Sequence, residues 1–273
     1  YNPPTPPGEP TMSPAAIGPA ARALAARECS TIAEALSPQP DVHDAVHRAR
    51  KTIRRLRALL ALLDNSPLET NLVDAALRRL GQGLSALRDA HVVVDTCQRL
   101  AAQQPAQPWA PVCHRLTARR DARLAQALAR DPAFARRHAA LVRIARDLQA
   151  QPWESLRARD IRKGVARSER RTAKAEKRAA RSRDTEDLHR WRRRVRRLRM
   201  QLEALPVLDS ALAASLKRRS PGRQARALHT LGDQLGQQQD LRMLRNLVRV
   251  MPGVDDRRGL LAQIDAQMAA ALG

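Results

Sequence analysis

The sequence predicts an all-α protein. Three observations carry this: a composition dominated by Ala, Leu, Arg and Gln, apolar residues at three- and four-residue spacing, and Pro- or Gly-bearing breakers at helix-length intervals. β-branched residues are sparse, and one Phe, one Tyr and three Trp are the only aromatics in 273 residues, which leaves little from which to build strands. A chain of this length can bury a sizeable core, as one large domain or two smaller ones.

Taken in order, residues 1–19 hold seven prolines (Pro3, Pro4, Pro6, Pro7, Pro10, Pro14 and Pro19) and read as a flexible or polyproline-like leader outside the fold. From Ala20 onward the breakers are Ser37-Pro38-Gln39-Pro40, Asn65-Ser66-Pro67, Gln104 to Pro108, Asp131-Pro132, Gln151-Pro152, Ser220-Pro221-Gly222 and Met251-Pro252-Gly253. They divide the chain into roughly ten helices of ordinary length.

The formal charge is +23, from 50 Lys plus Arg against 27 Asp plus Glu. Such an excess repels itself in a compact fold unless a polyanion is at hand: nucleic acid, an anionic membrane or a phosphate polymer. Arg outnumbers Lys, which suits bidentate phosphate contacts, although a GC-rich genome raises Arg as well. Cys29, Cys97 and Cys113 have neither metal-ligand spacing nor an even count, so no disulfide scaffold is expected and a reducing cytoplasm fits best. The longest clean apolar run, Ala58 to Leu63, is too short to span a bilayer. The first residues lack the apolar core of a signal peptide.

The most informative feature is an internal repeat. His47-Arg48-Ala49-Arg50-Lys51-Thr52-Ile53-Arg54-Arg55-Leu56-Arg57 matches His189-Arg190-Trp191-Arg192-Arg193-Arg194-Val195-Arg196-Arg197-Leu198-Arg199, 142 residues on. A second pair follows: Leu80-Gly81-Gln82-Gly83-Leu84 with Asp89, and Leu231-Gly232-Asp233-Gln234-Leu235 with Asp240. Two blocks in one order argue for two copies of a helical unit, about residues 20–145 and 146–273.

On a helix, His47, Arg50, Lys51 and Arg54 share one face, and Ile53, Leu56, Leu60 and Leu63 the opposite one. Likewise His189, Arg192, Arg193 and Arg196 oppose Trp191, Val195, Leu198, Leu202 and Leu205. Charged faces are mostly plain solvated surface. These carry no acids at i±4 to offset repulsion, however, and they occur twice with a His in the same place, which points to a polyanion site. Lys163, Arg167, Arg170, Lys174, Arg178 and Arg181 form a third basic stripe that should face the same anion. Arg119, Arg120, Arg123, Arg136 and Arg137 are either additions to it or ordinary surface charge.

Arginine neighbours should depress the pKa of His47 and His189 in the free protein, so anion binding should take up protons near neutral pH. His43, His91, His114, His138 and His229 have no metal-site spacing and read as structural. For Asp89 and Asp240, capping the following helix is favoured over pairing with an arginine.

On these residues the sequence resembles the CHAD family, the conserved histidine α-helical domain. That family's hallmark is His-x-x-Arg-Lys-x-x-(Arg/Lys)-x-Leu-Arg, twice, each followed by Leu-Gly and Arg-Asp. The resemblance covers about residues 20–270. It implies two pseudo-symmetric four-helix-bundle repeats, with long basic helices facing a central cavity or pore. It also implies polyphosphate binding, some members lying on polyphosphate granules. The ligands it implies by position are His47, Arg50, Lys51, Arg54 and Arg55, with His189, Arg192, Arg193, Arg196 and Arg197. Two positions depart from the pattern: Arg88 becomes Gln239 in the second copy, and Met200 stands where an aromatic is common.

The expected function is therefore non-catalytic binding of inorganic polyphosphate, in whose place sulfate or phosphate could sit. The polymer offers no bases to stack, and this chain has few aromatics to stack them on. Double-stranded nucleic acid is the rival, since it needs only phosphate contacts. Catalysis is not expected: the acids are scattered and no Gly-rich phosphate loop is present. No cofactor, no metal and no membrane are expected, and granule proteins are candidate partners through the leader.

Overall fold

The computed structural model describes residues 17–182, 184–219 and 223–270. The leader up to residue 16 and the Ser220-Pro221-Gly222 breaker lie outside the described residues. Among the described residues there are eleven α-helices and no strand. They are α1 (Ile17–Leu36), α2 (Val42–Leu62), α3 (Asn71–Gly83), α4 (Ser85–Gln103), α5 (Trp109–Arg130), α6 (Ala135–Gln149), α7 (Ala158–Ser182), α8 (Thr185–Leu208), α9 (Ser210–Arg219), α10 (Arg223–Val250) and α11 (Arg257–Ala270).

Most expected breakers fall between helices, and their chemistry is visible. Asp41 caps α2, its carboxylate accepting from the amides of His43 (2.9 Å) and Asp44 (3.0 Å). Buried Asp131 accepts from the Arg136 amide at 2.8 Å and holds a tight turn in which Ala133 and Phe134 take left-handed φ of 49° and 56°. Two boundaries differ from the expectation. Helix α1 begins at Ile17 and takes Pro19 into its first turn, where a missing amide costs nothing. The α3–α4 break rests on Leu84 alone, whereas in the second copy α10 runs unbroken past Gly232 and Gly236.

Two buried clusters dominate the packing. The larger joins α1, α2, α3 and α6 to Trp153, the start of α7, the end of α8 and α9. The second sets α4 and α5 against α10 and α11, with Trp109, Val112, Leu244 and Ile264 at its centre. A smaller group, Val195, Leu198 and Leu228, joins α8 to α10. The buried groups thus do not follow the two sequence copies, because the second cluster draws helices from both sides of residue 145.

The two motif helices, α2 and α8, pack on each other. Fully buried Gln201 of α8 donates to the Ala58 carbonyl of α2 at 3.0 Å. Helix α7 crosses the end of α2 at Gly164, where a Cβ would lie 2.0 Å from the Leu62 carbonyl oxygen, so only glycine permits this approach.

The cysteines correct the sequence reading. Cys97 and Cys113 are joined by a disulfide that ties α4 to α5, and Cys29 is buried and free. An α–α hairpin brings together residues whose spacing gave no such signal. Cysteine usage therefore no longer argues for a reducing compartment. No described helix is long and apolar enough to cross a membrane.

Candidate functional site

The apolar stripes expected on the motif helices are core. Ile53, Leu56, Leu60, Leu63, Val195, Leu198 and Leu205 are buried, and Trp191 and Leu202 are half-buried against the core. The glycines of the second block lie against these helices, tightly at Gly81 and at ordinary van der Waals distance at Gly232. A Cβ on Gly81 would lie 3.3 Å from Ile53 Cγ2, and one on Gly232 would lie 4.0 Å from Val195 Cγ1. Each glycine thus meets the residue six positions after its motif's histidine.

Arg50 reaches across to this junction, donating to the Gly81 carbonyl (2.6 Å) and the Ser85 hydroxyl (2.5 Å). Its counterpart Arg192 faces Gly236, which occupies the place of that serine; a Cβ there would be 3.4 Å from Arg192 Nη2. Among the described residues Arg192 has no hydroxyl partner, and its Nε is buried without an acceptor.

The cationic faces of α2 and α8 converge. Arg54 is crowded by Arg50, Arg192, Arg88 and Arg199, and Arg196 by Arg192, Arg54 and Arg199. Burial, followed by these neighbours, pushes Arg54 down to about 10 and Arg196 down to about 9. A guanidinium remains charged at neutral pH in either case, so the shifts record how strongly the site lacks counter-charge. Arg54, Arg192 and Arg196 make no side-chain hydrogen bond or ion pair to any described residue. Beside this cluster a cleft of about 360 Å³ opens between α4, α8 and α10, lined by Arg99, Arg192, Arg196 and Arg199 with Gly236 and Asp240.

Asp89 and Asp240 do not cap helices, which corrects the favoured reading. Asp89 lies within α4 and Asp240 within α10. They act as the local counter-charges: Asp89 favours the charged form of Arg50, and Asp240 that of Arg192 and Arg196. Burial still raises the Asp240 pKa despite its arginine neighbours.

Half-buried His47 and His189 flank the cluster. Both pKa values are lowered, first by burial and then by cations: Arg88 and Arg54 for His47, Arg193 and Arg192 for His189. Arg242, three residues beyond Gln239, adds a weaker cationic influence on His189. His43 and His91 stack at 4.9 Å between ring centroids, beside Asp121 and Asp95.

The other candidates are dispersed. Lys51 is exposed at the rim beside His47. Arg193 is exposed and pairs with Glu186 at 2.9 Å. Arg55 turns to Glu28 of α1 at 3.0 Å. Arg197 lies instead among Arg194, Arg57, Asp74 and Arg171. The third stripe does not face the cluster. Arg167 donates to the Asp64 and Ala61 carbonyls and closes the end of α2. Arg170 and Lys174 line a separate open groove with Arg178 and Arg181, and Lys163 is exposed on the same helix. Sequence reasoning missed Arg99, for which no motif gave a signal, and Arg242. Among the described residues no three His, Cys, Asp or Glu side chains group so as to hold a metal ion.

Fold and site together define an all-helical protein in which the arginines of two cationic helices crowd together beside a narrow cleft. The chain belongs to the CHAD domain family, whose model matches residues 15–249. Its fold is similar to the crystal structure of the CHAD domain from the plant Ricinus communis, with a TM-score of 0.61, 24% sequence identity, and coverage of 94% of this chain and 88% of that one. No curated protein matches the chain.

Proposed function

We propose that the chain binds inorganic polyphosphate without cleaving it, along the arginines where α2 meets α8 and in the adjoining cleft bounded by α4, α8 and α10. The observation that carries this reading is the state of Arg54, Arg192 and Arg196: partly buried, crowded by other arginines and without a hydrogen-bond or ion-pair partner among the described residues. Buried cations in this condition call for an anion with several charges close together. A cleft of about 360 Å³ suits a thin phosphate chain better than a double helix. Cleavage assisted by metal would need clustered carboxylates, whereas Asp89 and Asp240 are each committed to arginine. The ligand set proposed is His47, Arg50, Arg54, Arg88, His189, Arg192, Arg196 and Arg199, with Lys51 and Arg193 at the rim. Sulfate or phosphate would occupy the same positions, and association with polyphosphate granules would follow from such binding.

The test is competition. Labelled long-chain polyphosphate is bound to the protein and challenged with duplex DNA and with RNA at matched phosphate concentration and physiological salt. The reading requires weak displacement by nucleic acid and loss of binding in Arg54→Ala/Arg192→Ala/Arg196→Ala. Equal competition, with affinity that follows net charge alone, would instead mark a generic polyanion surface.

A further inference from the structure

A second concavity, larger than the cleft and separate from it, lies among α3, α6, the start of α4 and the end of α5. Its volume is about 800 Å³. Its apolar lining comes from Ala76, from the largely buried Leu80, Leu87 and Ile144, and from Leu72, which is 85% exposed. The border is cationic. Arg79 of α3, Arg130 of α5, and Arg136 and Arg143 of α6 are all exposed, and none pairs through its side chain with a described residue. The two carboxylates present are already engaged, Asp131 by Arg137 at 2.5 Å and Asp147 by Arg146 at 3.4 Å.

We propose that this groove docks an acidic amphipathic helix of a partner protein, its apolar stripe against the alanine and leucine lining and its Asp or Glu flanks against the four arginines. A phosphate polymer has nothing to place on an apolar lining. A second copy of this chain carries the same +23 and would bring like charge to the rim. An apolar stripe with acidic borders matches both features, in the mode by which grooves take helices through anchors at i, i+3, i+4 and i+7. Docking here is independent of what occupies the cleft.

The experiment uses the full chain and a fluorescent synthetic helix of about 18 residues, with Leu at those spacings and Glu beside them, against a scrambled peptide of the same composition. The patterned peptide should bind at least roughly tenfold tighter than the scrambled one. Arg79→Glu/Arg143→Glu should remove that difference while leaving polyphosphate affinity unchanged. Leu72→Gln, a change at an exposed position, should weaken the patterned peptide alone and provides a check free of any charge effect. Equal binding of the two peptides overturns the proposal, as does undiminished binding in both variants. Concentration-dependent dimerisation abolished by Leu72→Gln would overturn it too, assigning the groove to a second copy. A failure of polyphosphate binding in the unmodified chain would count against the cleft reading only.

Discussion

Gln201 of α8 and Ala58 of α2 are joined by a buried hydrogen bond of 3.0 Å, a direct polar tie between the two histidine-motif helices. The Gln201 Oε1 atom is buried without a partner, so the side chain is kept for one bond. Gln201→Ala should lower the unfolding free energy by about 2 kcal/mol, from the lost bond and the space left behind. Urea unfolding checks this, and a loss below about 0.5 kcal/mol would mean that the tie does not hold the helices.

Removing the crowded charges should have the opposite effect. Arg54→Met and Arg196→Met relieve burial of like charges, and each should stabilise the ligand-free protein by about 1–2 kcal/mol. The same variants should lose the rise in melting temperature that polyphosphate gives the unmodified chain. Destabilised variants would show that the guanidiniums are structural instead.

The histidines set a pH dependence. His47 and His189 titrate below the ordinary value of about 6.5 in the folded chain, so the unfolded chain binds more protons. Their contribution to stability is present above about pH 6.5 and is lost as pH falls through the depressed folded values. A bound polyanion raises those values, so binding should take up protons and tighten on acidification. Calorimetry in two buffers of different ionisation enthalpy measures the uptake. His47→Gln/His189→Gln should abolish it, and uptake that persists in that variant would assign the protons elsewhere.

Ala133 is exposed with φ of 49°, a conformation that costs an L residue about 1 kcal/mol. Ala133→Gly should therefore raise the melting temperature by about 2–3 °C. A lower melting temperature would show that glycine's gain in unfolded-chain entropy outweighs the relief.

Composition, breakers and periodicity made the fold class legible, and periodicity showed the amphipathic faces of the motif helices, because Leu56 and Val195 fall at the spacing a core stripe demands. It also picked out Arg54, Arg192 and Arg196. It left Arg55 and Arg197, about 100° further around the helix, off those faces, and only the family resemblance placed them among the ligands. Which side of that arc meets Glu28 and which meets the cleft is settled by neighbouring helices, and no local pattern encodes it. The same holds for Arg99 and for the Cys97–Cys113 pair. Asp89 and Asp240 were misread because the Gly-Gln-Gly and Gly-Asp segments look like helix ends, whereas the backbone breaks once, at Leu84, and in α10 not at all.

The cluster shared by α4, α5, α10 and α11 bears on how the chain is made. Trp109 donates its indole hydrogen to Gln263, 154 residues later, at 2.7 Å. During synthesis, the apolar side of the α4–α5 hairpin must wait for α10 and α11 to leave the ribosome. At about 5–20 residues per second this leaves Trp109, Val112 and Leu116 uncovered for many seconds, a window in which a chaperone, or a neighbouring nascent chain, finds them before their own partners do.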